Sequence, residues 1–323
     1  MKRVLAVIPT HERPEEIKEL LNSLAKLRTD SCTFSVSVMD DGSLTSLEDI
    51  VRSEGLGLDL IFSRNEKSHG PSWCRNRMVE ATDSDYLWFL DSDTVVLSPD
   101  TLENMLIAIG RDPKICAVGG TVENIDGDLL LQQLEILPNA FFLYRVFGLD
   151  DFEPSYVEGF GTCNMLVTRE AFNRTGGFDE SLPRDEDMDF CLTLRGLGCR
   201  FYMEKGTSVL HKCSHTGRST GAFAFHMSRI AYFQKLLETR VTIIERHFPV
   251  LLLALPLLDL LLIPRVMYRV SSKYYAHKRI RRDVLTWSYS SLVTGGHLLY
   301  ILAKCYAVGY LRLALRALGQ RRP

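Results

Sequence analysis

The sequence predicts an α/β fold in which a mostly parallel, twisted sheet is flanked by helices. Over the first 120 residues, strand-like apolar runs alternate with helix-like segments, an order typical of open parallel sheets. Each of the first four predicted strands also runs directly into polar residues. Parallel strands bring their carboxyl ends to one edge of a sheet, and ligands of such sheets bind there. We therefore expect a polar cleft at this edge.

The individual elements follow from local patterns. "RVLAVIPT" is predicted as a buried strand and "PEEIKELLNSLAKL" as a helix, because Pro14 suits a first turn and Glu15 and Glu16 favour the positive end of the helix dipole. Further strands are "FSVSVMDDGS", "LDLIFSRN", "YLWFLDSD", in which the run from Tyr86 to Asp91 looks like a buried strand, and "KICAVGGTVEN". Further helices are "SLEDIVRSEG", "PSWCRNRMVEAT" and "FCLTLRGLG", the last of which ends at glycine.

Charge is divided unevenly along the 323 residues. Residues 1–240 hold 25 basic and 37 acidic residues, a net charge of −12, whereas residues 241–323 hold 13 and 3, a net charge of +10. Nucleic-acid binding is not expected, because the body is acidic and the basic residues cluster with apolar segments. Anionic lipid is the expected partner of the basic tail.

We predict one domain over residues 1–240 and a C-terminal helical region over residues 241–323 that associates with a membrane surface. The apolar stretch 248–263 is shorter than the ~20 residues of a spanning helix. If it and the apolar stretch 284–311 both spanned a bilayer, the seven basic residues of 264–283 would lie outside, against the positive-inside rule. Interfacial or re-entrant helices avoid this. A buried helical hairpin, or an interface in a homo-oligomer, is the alternative.

The cysteines predict a reducing compartment. All eight are scattered without a C-x-x-C pair, so zinc-site spacing is absent and a disulfide framework is not expected. Small buried thiols are expected instead. The N-terminal apolar run, Val4 to Ile8, is too short for a signal peptide. We therefore expect a cytosolic body at the cytoplasmic face of the membrane.

Asp91 and Asp93 are the first candidate site. At i and i+2 on a strand end they project to the same side, where they would repel each other. A divalent cation, Mn²⁺ or Mg²⁺, removes that repulsion. A solvated Asp-Ser-Asp turn is the alternative. His211 and His215 follow the predicted strand "GTSVL", and each is a candidate metal or phosphate ligand or a structural histidine.

Other polar residues extend the candidate site. Asp40 ends an early strand, where an acid can accept hydrogen bonds from a nucleotide base or ribose, although Asp41-Gly42 alone would suit a turn. Neither a G-x-G-x-x-G nor a P-loop motif is present, so neither a Rossmann dinucleotide cofactor nor a P-loop nucleotide is expected. Arg75 suits phosphate recognition.

A cluster of acids opens the last predicted helix of the body. Four acids lie within five positions at its start, Asp185, Glu186, Asp187 and Asp189. They suit the helix dipole but exceed what capping needs, and one that faces the cleft can act as general base toward a hydroxyl.

Seven segments together resemble the family-2 glycosyltransferases of the GT-A fold. They occur in the family's order over residues 3–220, and they are "VIPTHERP", "VMDDGS", "CRNR", "FLDSDT", "GTCNMLVTREAFNRTGGFDE", "EDMDFCLTLR" and "VLHKCSHTGRS". The resemblance implies a Rossmann-like nucleotide-sugar half over residues 1–120 and an acceptor and catalytic half over residues 121–240. It implies inverting transfer of a sugar from a nucleoside-diphosphate donor to a hydroxyl of a lipid-linked or cell-surface glycan.

The resemblance also implies a role for each matching residue. Asp187 would be the base, with Glu186 beside it in the acidic pair. Asp93 and Asp91 would hold Mn²⁺ or Mg²⁺ on the diphosphate, together with His211 or His215. The nucleotide sugar would be bordered by Thr10, Glu12, Arg13, Asp40, Asp41, Arg75, Asn76 and Asp91.

Two other functions fit the sequence less well. A nucleotide-sugar pyrophosphorylase would share the strand–helix layout for nucleotide binding. A chain that resembles that class would carry a different first loop, rich in glycine, where this chain has "PTHERP". A non-catalytic membrane adaptor on a transferase fold would be expected to lose its acidic motifs, and both "DSD" and "EDMD" are intact.

Overall fold

A computed structural model describes residues 1–55, 57–124, 156–157, 159–182, 184–212, 237–253, 256, 299–300, 303–314 and 317. These residues fall into two compact units, one within residues 1–212 and one within residues 237–317. The predicted domain boundary at residue 240 lies among helical residues 237–247 of the second unit.

The first unit alternates strands and helices as predicted. Its strands are β1 (Lys2–Thr10), β2 (Cys32–Asp40), β3 (Asp59–Arg64), β4 (Tyr86–Phe89), β5 (Thr94–Val96), β6 (Ile115–Gly119), β7 (Val122–Asn124), β8 (Tyr156–Val157), β9 (Met165–Thr168), β10 (Arg200–Met203) and β11 (Val209–His211). Its helices are α1 (Pro14–Leu24), α2 (Glu48–Glu54), α3 (Pro71–Glu80), α4 (Thr101–Ala108), α5 (Arg169–Thr175) and α6 (Glu186–Gly196).

Eight strands form the central sheet, in the order β3-β2-β1-β4-β9-β6-β10-β8. The pairs among β3, β2, β1 and β4 are parallel, as is β6 with β10. Strand β9 runs antiparallel to both β4 and β6. Strands β5, β11 and β7 form a second, three-stranded sheet. The carboxyl ends of β1, β2, β3 and β4 thus share one edge, as the sequence predicts.

The core of this unit follows from the apolar patterns. Val4 to Ile8 of β1 are almost fully buried. Val4, Ala6 and Ile8, on one face of the strand, share a core cluster with the buried face of α1, Ile17, Leu20, Leu21 and Leu24. Each such side chain contributes about 1.5–3 kcal/mol when fully buried. The packing fixes the sheet edge on which the polar residues stand.

Two predicted strands differ in extent from those observed. The strand predicted from Tyr86 to Asp91 ends at Phe89, although the Leu90 amide still donates to the Val7 carbonyl. "KICAVGGTVEN" forms two strands in different sheets, because the first strand ends before Gly120. A Cβ on Gly120 would lie 2.2 Å from the Thr207 carbonyl oxygen, so only glycine fits there.

The expectation that the cysteines are free thiols is wrong for one pair. Cys116 and Cys199 form a disulfide with their Cα atoms 5.4 Å apart. They lie at the start of the neighbouring parallel strands β6 and β10, and this tertiary pairing cannot be read from their separation of 83 residues. Cys32, Cys74, Cys163, Cys191 and Cys305 are buried and free, as expected.

The second unit packs helical residues 237–247 against helical residues 303–314, with a 3₁₀ turn at Pro249–Leu253. Its small core includes Val241, Leu252 and Tyr306. Several large apolar side chains of this unit are exposed, among them Val250, Leu253, Tyr300 and Leu311. None of the helices in the described ranges has the length and apolarity needed to cross a membrane. The basic segment 264–283 lies outside the described residues.

Candidate active site

The polar ends of the first four strands meet, as the sequence predicts. After β1, the His11 ring bonds to the Asp41 carbonyl at 2.9 Å. The Glu12 amide donates to Ser43 Oγ at 2.9 Å, and Leu44 N donates to Glu12 Oε1 at 2.5 Å. Glu12 adopts a φ of 53°, the left-handed region that non-glycine residues rarely occupy. Its hydrogen bonds with Ser43 and Leu44, in the turn after β2, hold it there.

The carboxylates of Asp40 and Asp41 accept hydrogen bonds from other groups of the protein. Asp40 is fully buried and accepts from the amides of Ser43 and Leu47, with Arg64 Nε at 3.3 Å. The carboxylate oxygens of Asp41 accept from four groups, Asn65 Nδ2, Ser68 Oγ and the amides of His69 and Gly70. Burial of Asp41 tends to raise its pKa, but these hydrogen bonds outweigh it and hold the pKa below its usual value. Both acids therefore shape the loops at the sheet edge.

Asp91, Asp93 and His211 form a cluster that could hold a metal ion. One ligand atom from each lies within 4.8 Å of the other two. His211 Nε2 is 3.3 Å from Asp93 Oδ1 and 3.8 Å from Asp91 Oδ2. Arg13 Nη1 lies 2.9 Å from Asp93 Oδ1, so the end of β1 reaches the same cluster. Asp93 is buried and Asp91 is partly exposed.

The small sheet places His211 in the cluster. Strand β11 pairs antiparallel with β5, which sets His211 opposite Thr94, and the Lys212 amide donates to the Asp93 carbonyl at 3.0 Å. Burial tends to lower the pKa of His211, but its hydrogen bond to Asp93 and the charges of Asp91 and Asp93 raise the pKa overall. Of the two candidate histidines, His215 lies outside the described residues.

Arg75 connects the Asp91–Asp93–His211 cluster, called the metal-type cluster below, to the acidic start of helix α6. Its Nη2 donates to Asp91 Oδ1 and its Nη1 to Glu186 Oε1, each at 2.7 Å. The guanidinium lies 5.6 Å from the centre of the Phe178 ring, and the residue is only 2% exposed. The charges of both acids outweigh burial and raise the pKa of Arg75. The two acidic motifs, about a hundred residues apart in sequence, are thus in direct contact with one side chain.

Asp187 lies at the start of α6, after Asp185, which caps the helix with a φ of 55°. The Met188 amide donates to Asp187 Oδ1 at 2.8 Å. A Cβ on Gly161 would lie 3.5 Å from Asp187 Oδ2, an ordinary van der Waals distance, so the backbone of Gly161 lies beside the acid. Burial, followed by the charges of Glu186 and Asp185, raises the pKa of Asp187 to about 7.

Two of the predicted donor residues have other surroundings. Asn76 directs its amide to the backbone of Phe178 and to Glu180, each at 2.9 Å. Thr10 is buried at the end of β1, and its hydroxyl has no hydrogen-bond partner within the described part of the chain. Neither residue contacts the Asp91–Asp93–His211 cluster through a described hydrogen bond.

Asn164 is a residue that the sequence reasoning missed. It accepts from Trp88 Nε1 at 3.2 Å and donates to the Thr207 carbonyl at 2.8 Å, so it connects β4 to the loop that precedes β11. Asn164 is 1% exposed. Its only signal in the sequence is its place within "GTCNML", which gives no hint of these partners.

Comparisons with known proteins agree with this geometry. The model of the family "Glycosyl transferase family 2" matches residues 5–176, more than half of the chain. The pre-mycofactocin glycosyltransferase of Mycobacterium tuberculosis is 30% identical over 215 residues, which cover 64% of this chain and 42% of that protein. The chain therefore spans less than half the length of this curated relative.

Solved structures share the fold at low sequence identity. A mannosyltransferase from Pyrobaculum calidifontis, in complex with GDP-Man and Mn²⁺, has a TM-score of 0.57 at 18% identity and covers 96% of this chain and 87% of its own. Staphylococcus aureus TarS 1–349, in complex with UDP-GlcNAc, has a TM-score of 0.53 at 18% identity, over 77% and 68% of the two chains. The sheet order, the clustered acids and the family match lead to one conclusion: this chain has a GT-A fold and belongs to glycosyl transferase family 2.

Proposed function

We propose that this glycosyltransferase moves a sugar from a nucleoside-diphosphate sugar to a hydroxyl of a lipid-linked or cell-surface glycan, with inversion at the anomeric carbon. The observation that carries the proposal is the bridge through Arg75, which brings Asp91 of the metal-type cluster and Glu186 of the acidic helix to the same guanidinium. A donor site and a base beside each other are what transfer to a hydroxyl requires.

The residues present fit a divalent cation. Asp91, Asp93 and His211 would hold it, since two carboxylates and one imidazole form a donor set for a transition metal. The imidazole favours Mn²⁺ over Mg²⁺, because Mg²⁺ prefers an all-oxygen shell. When bound, the ion would neutralise negative charge on the diphosphate leaving group.

Asp187 is proposed as the general base. A base works best when its pKa is near the operating pH, and burial beside Glu186 and Asp185 raises the pKa of Asp187 to about 7. Asp187 would take the proton from the acceptor hydroxyl as its oxygen attacks the anomeric carbon. The diphosphate would leave from the opposite face of the sugar, which inverts that carbon. Arg13 and Thr10, at the end of β1, would border the donor.

The nature of the donor is supported by the relatives. TarS 1–349 binds UDP-GlcNAc and the Pyrobaculum enzyme binds GDP-Man with Mn²⁺. Both ligands are nucleoside-diphosphate sugars, so this class of donor is proposed here. A hydroxyl of a polymer as acceptor is consistent with the name of full-length TarS, a poly(ribitol-phosphate) β-N-acetylglucosaminyltransferase, of which a 105-residue stretch aligns at 33% identity.

The second unit is proposed to attach the enzyme to the cytoplasmic face of an anionic membrane without crossing it. Val250, Leu253 and Tyr300 are between 67% and 77% exposed, and residues 241–323 carry a net charge of +10. Exposed apolar side chains together with basic charge suit the headgroup region of anionic lipid. The full chain should sediment with vesicles that contain phosphatidylserine, and less so with phosphatidylcholine alone or in high salt.

A matched pair of variants tests this attachment. Leu253→Glu should weaken vesicle binding, whereas Ile107→Glu, at an exposed position of α4 in the first unit, should not. Equal binding by both variants, or a concentration-dependent dimer with no lipid binding, would contradict the proposal.

The proposed activity is tested by a thermal-shift screen of nucleotide sugars with Mn²⁺, because a ligand of the folded state raises the melting temperature. The donor should stabilise the wild type and also Asp187→Asn, yet Asp187→Asn should not transfer. Asp83→Asn, whose side chain is 85% exposed, is the control. Normal turnover by Asp187→Asn would remove the base assignment, and stabilisation by no nucleotide sugar would favour a non-catalytic adaptor.

A further inference from the structure

Arg75 occupies an unusual place for a residue expected to bind a donor phosphate. Its side chain is 3% exposed, and both terminal nitrogens donate to acids of the protein, Asp91 and Glu186. These partners are themselves mostly buried, with side chains 28% and 14% exposed. The two acids use two of the five N–H donors of the guanidinium, and the remaining donors, Nε among them, are buried. A phosphate could reach them only if the guanidinium turned away from these acids or the side chains around it moved. Leaving either buried acid unpaired would be unfavourable.

The bridge also has a defined geometry. Both hydrogen bonds are 2.7 Å long, in the range of strong charge-assisted bonds. The planar guanidinium holds two acceptors along one edge, which a flexible ammonium group cannot do. Helix α3 carries Arg75 on its buried side, and the amide of Gly70, next to the helix start, is held by Asp41. Arg75 therefore projects from a support that is itself anchored to the sheet edge.

We infer that Arg75 is a positioning residue that sets the distance between the metal-type carboxylate Asp91 and the start of α6, and that it does not bind the donor. The inference rests on the proposed function, in which Asp91 helps to hold a cation and Asp187 is the base. Because Arg75 shares the Asp91 carboxylate, it also competes electrostatically with the cation at that acid. The Arg75 side chain thus affects both the affinity of Asp91 for the cation and the position of the base at the start of α6.

Three variants of the full chain separate this role from donor binding. Arg75→Met removes both hydrogen bonds and the charge, and Arg75→Lys keeps the charge but not the fork. Arg77→Met is the control on the same helix, because Arg77 is half-exposed and pairs with Glu80 and Glu180. Melting temperatures identify any variant that fails to fold. If Arg75→Met does not fold, the same measurements are made on Arg75→Lys.

The first measurement is titration with Mn²⁺ alone, which needs no substrate. Removing one positive charge beside Asp91 should tighten Mn²⁺ binding of Arg75→Met by about fivefold or more, since a unit charge at about 4 Å has an effect of that size even in water. Arg75→Lys and Arg77→Met should bind Mn²⁺ as the wild type does. Unchanged or weaker binding by Arg75→Met would overturn the shared-carboxylate part of the inference.

The second measurement is steady-state transfer with the nucleotide sugar found in the thermal-shift screen. Arg75→Met should lower kcat on the order of 100-fold, the usual effect of a small misplacement of catalytic groups, with little change in the KM of the donor. Arg75→Lys should fall between Arg75→Met and the wild type. A raised donor KM with kcat retained would show that Arg75 binds the donor, and wild-type kcat and KM would show that it has no role.

A double-mutant cycle tests the connection to α6. If Arg75 acts through Glu186, the variant carrying both Arg75→Met and Glu186→Gln should lose no more activity than Arg75→Met alone. Losses that multiply would overturn the inference. An inactive Asp187→Asn with fully active Arg75→Met would refute this inference alone, whereas an active Asp187→Asn would refute the proposed function.

Discussion

The side-chain amide of Asn76 pairs with both backbone polar groups of Phe178. Its Nδ2 donates to the Phe178 carbonyl and its Oδ1 accepts from the Phe178 amide, each at 2.9 Å. A Cβ on the preceding residue, Gly177, would lie 2.7 Å from Asn76 Oδ1, so glycine is required for this close approach. The Asn76 amide therefore holds the turn that carries Phe178, whose ring packs near Arg75.

Asn76→Asp should destabilise the protein by about 2–4 kcal/mol, because a carboxylate cannot donate and would face the Phe178 carbonyl and the Glu180 carboxylate. Asn76→Ala should cost less, since it adds no repulsion. Chemical denaturation measures both. The donor-induced rise in melting temperature should persist in Asn76→Ala, and its selective loss in a stable variant would instead support a donor contact.

The pH dependence of transfer should report Asp187. The base must be ionised to act, and burial with Glu186 and Asp185 nearby raises the pKa of Asp187 to about 7. The value of kcat/KM should fall about tenfold per pH unit below that pKa and be level above it. Glu186→Gln removes one neighbouring negative charge and should move this limb to lower pH. A limb that does not move would argue against this origin of the pKa.

Asp41 should contribute stability that is lost in acid. Its folded-state pKa is below the unfolded value despite burial, because groups including the His69 and Gly70 amides donate to the carboxylate. The contribution is therefore present above the unfolded pKa of ~3.9 and disappears as pH falls through the lower folded pKa. The wild type should exceed Asp41→Asn in free energy of unfolding at pH 7, and the difference should shrink below about pH 4. A constant difference would contradict the prediction.

His211 should make Mn²⁺ binding depend on pH. Its pKa is raised by the hydrogen bond to Asp93 and by the charges of Asp91 and Asp93, which outweigh burial. The imidazole of the metal-free protein therefore keeps its proton to a higher pH than usual, and a metal must displace that proton. Mn²⁺ affinity should rise with pH, and calorimetry in buffers of different ionisation enthalpy should detect a released proton. His211→Ala should weaken Mn²⁺ binding at least tenfold and remove this proton release. EDTA should abolish transfer by the wild type.

The Cys116–Cys199 disulfide should stabilise the first unit. It closes a loop of 83 residues, for which loop entropy predicts a stabilisation of roughly 4.5 kcal/mol. A reductant should lower the melting temperature of the wild type toward that of the variant carrying Cys116→Ser and Cys199→Ser. The reductant should leave the double variant unchanged. Equal melting temperatures of the untreated wild type and the double variant would contradict the prediction.

Much of the sheet could be predicted because its strands are apolar runs that end in polar residues. Val4 to Ile8 and Leu87 to Leu90 are buried along their whole length, and this pattern is visible without any tertiary information. The direction of β9 could not be predicted, because "MLVT" has the same composition whether it runs parallel or antiparallel. The break at Gly120 depends on contact with Thr207, far away in sequence.

The sequence indicates which residue types the candidate site contains, but it does not indicate the contacts that they make. Their spacing in the sequence identified Asp91, Asp93, Glu186 and Asp187 as candidate site residues. It could not show that Asp40 already has internal donors, that Asn76 binds the Phe178 backbone, or that Arg75 faces two acids. Each of these facts depends on which segments pack together, and a single sequence does not display that packing.

The division into two sheets at Gly120 also bears on the Asp91–Asp93–His211 cluster. Asp91 follows β4 of the large sheet, while Asp93 and His211 belong to the segments that form the small sheet. A cation bound by all three residues would link the two sheets. Its affinity would therefore depend on how the two sheets are packed against each other. A substitution at Asn164, whose described side-chain hydrogen bonds go to Trp88 and Thr207 and not to the cluster, should then weaken Mn²⁺ binding although it removes no ligand.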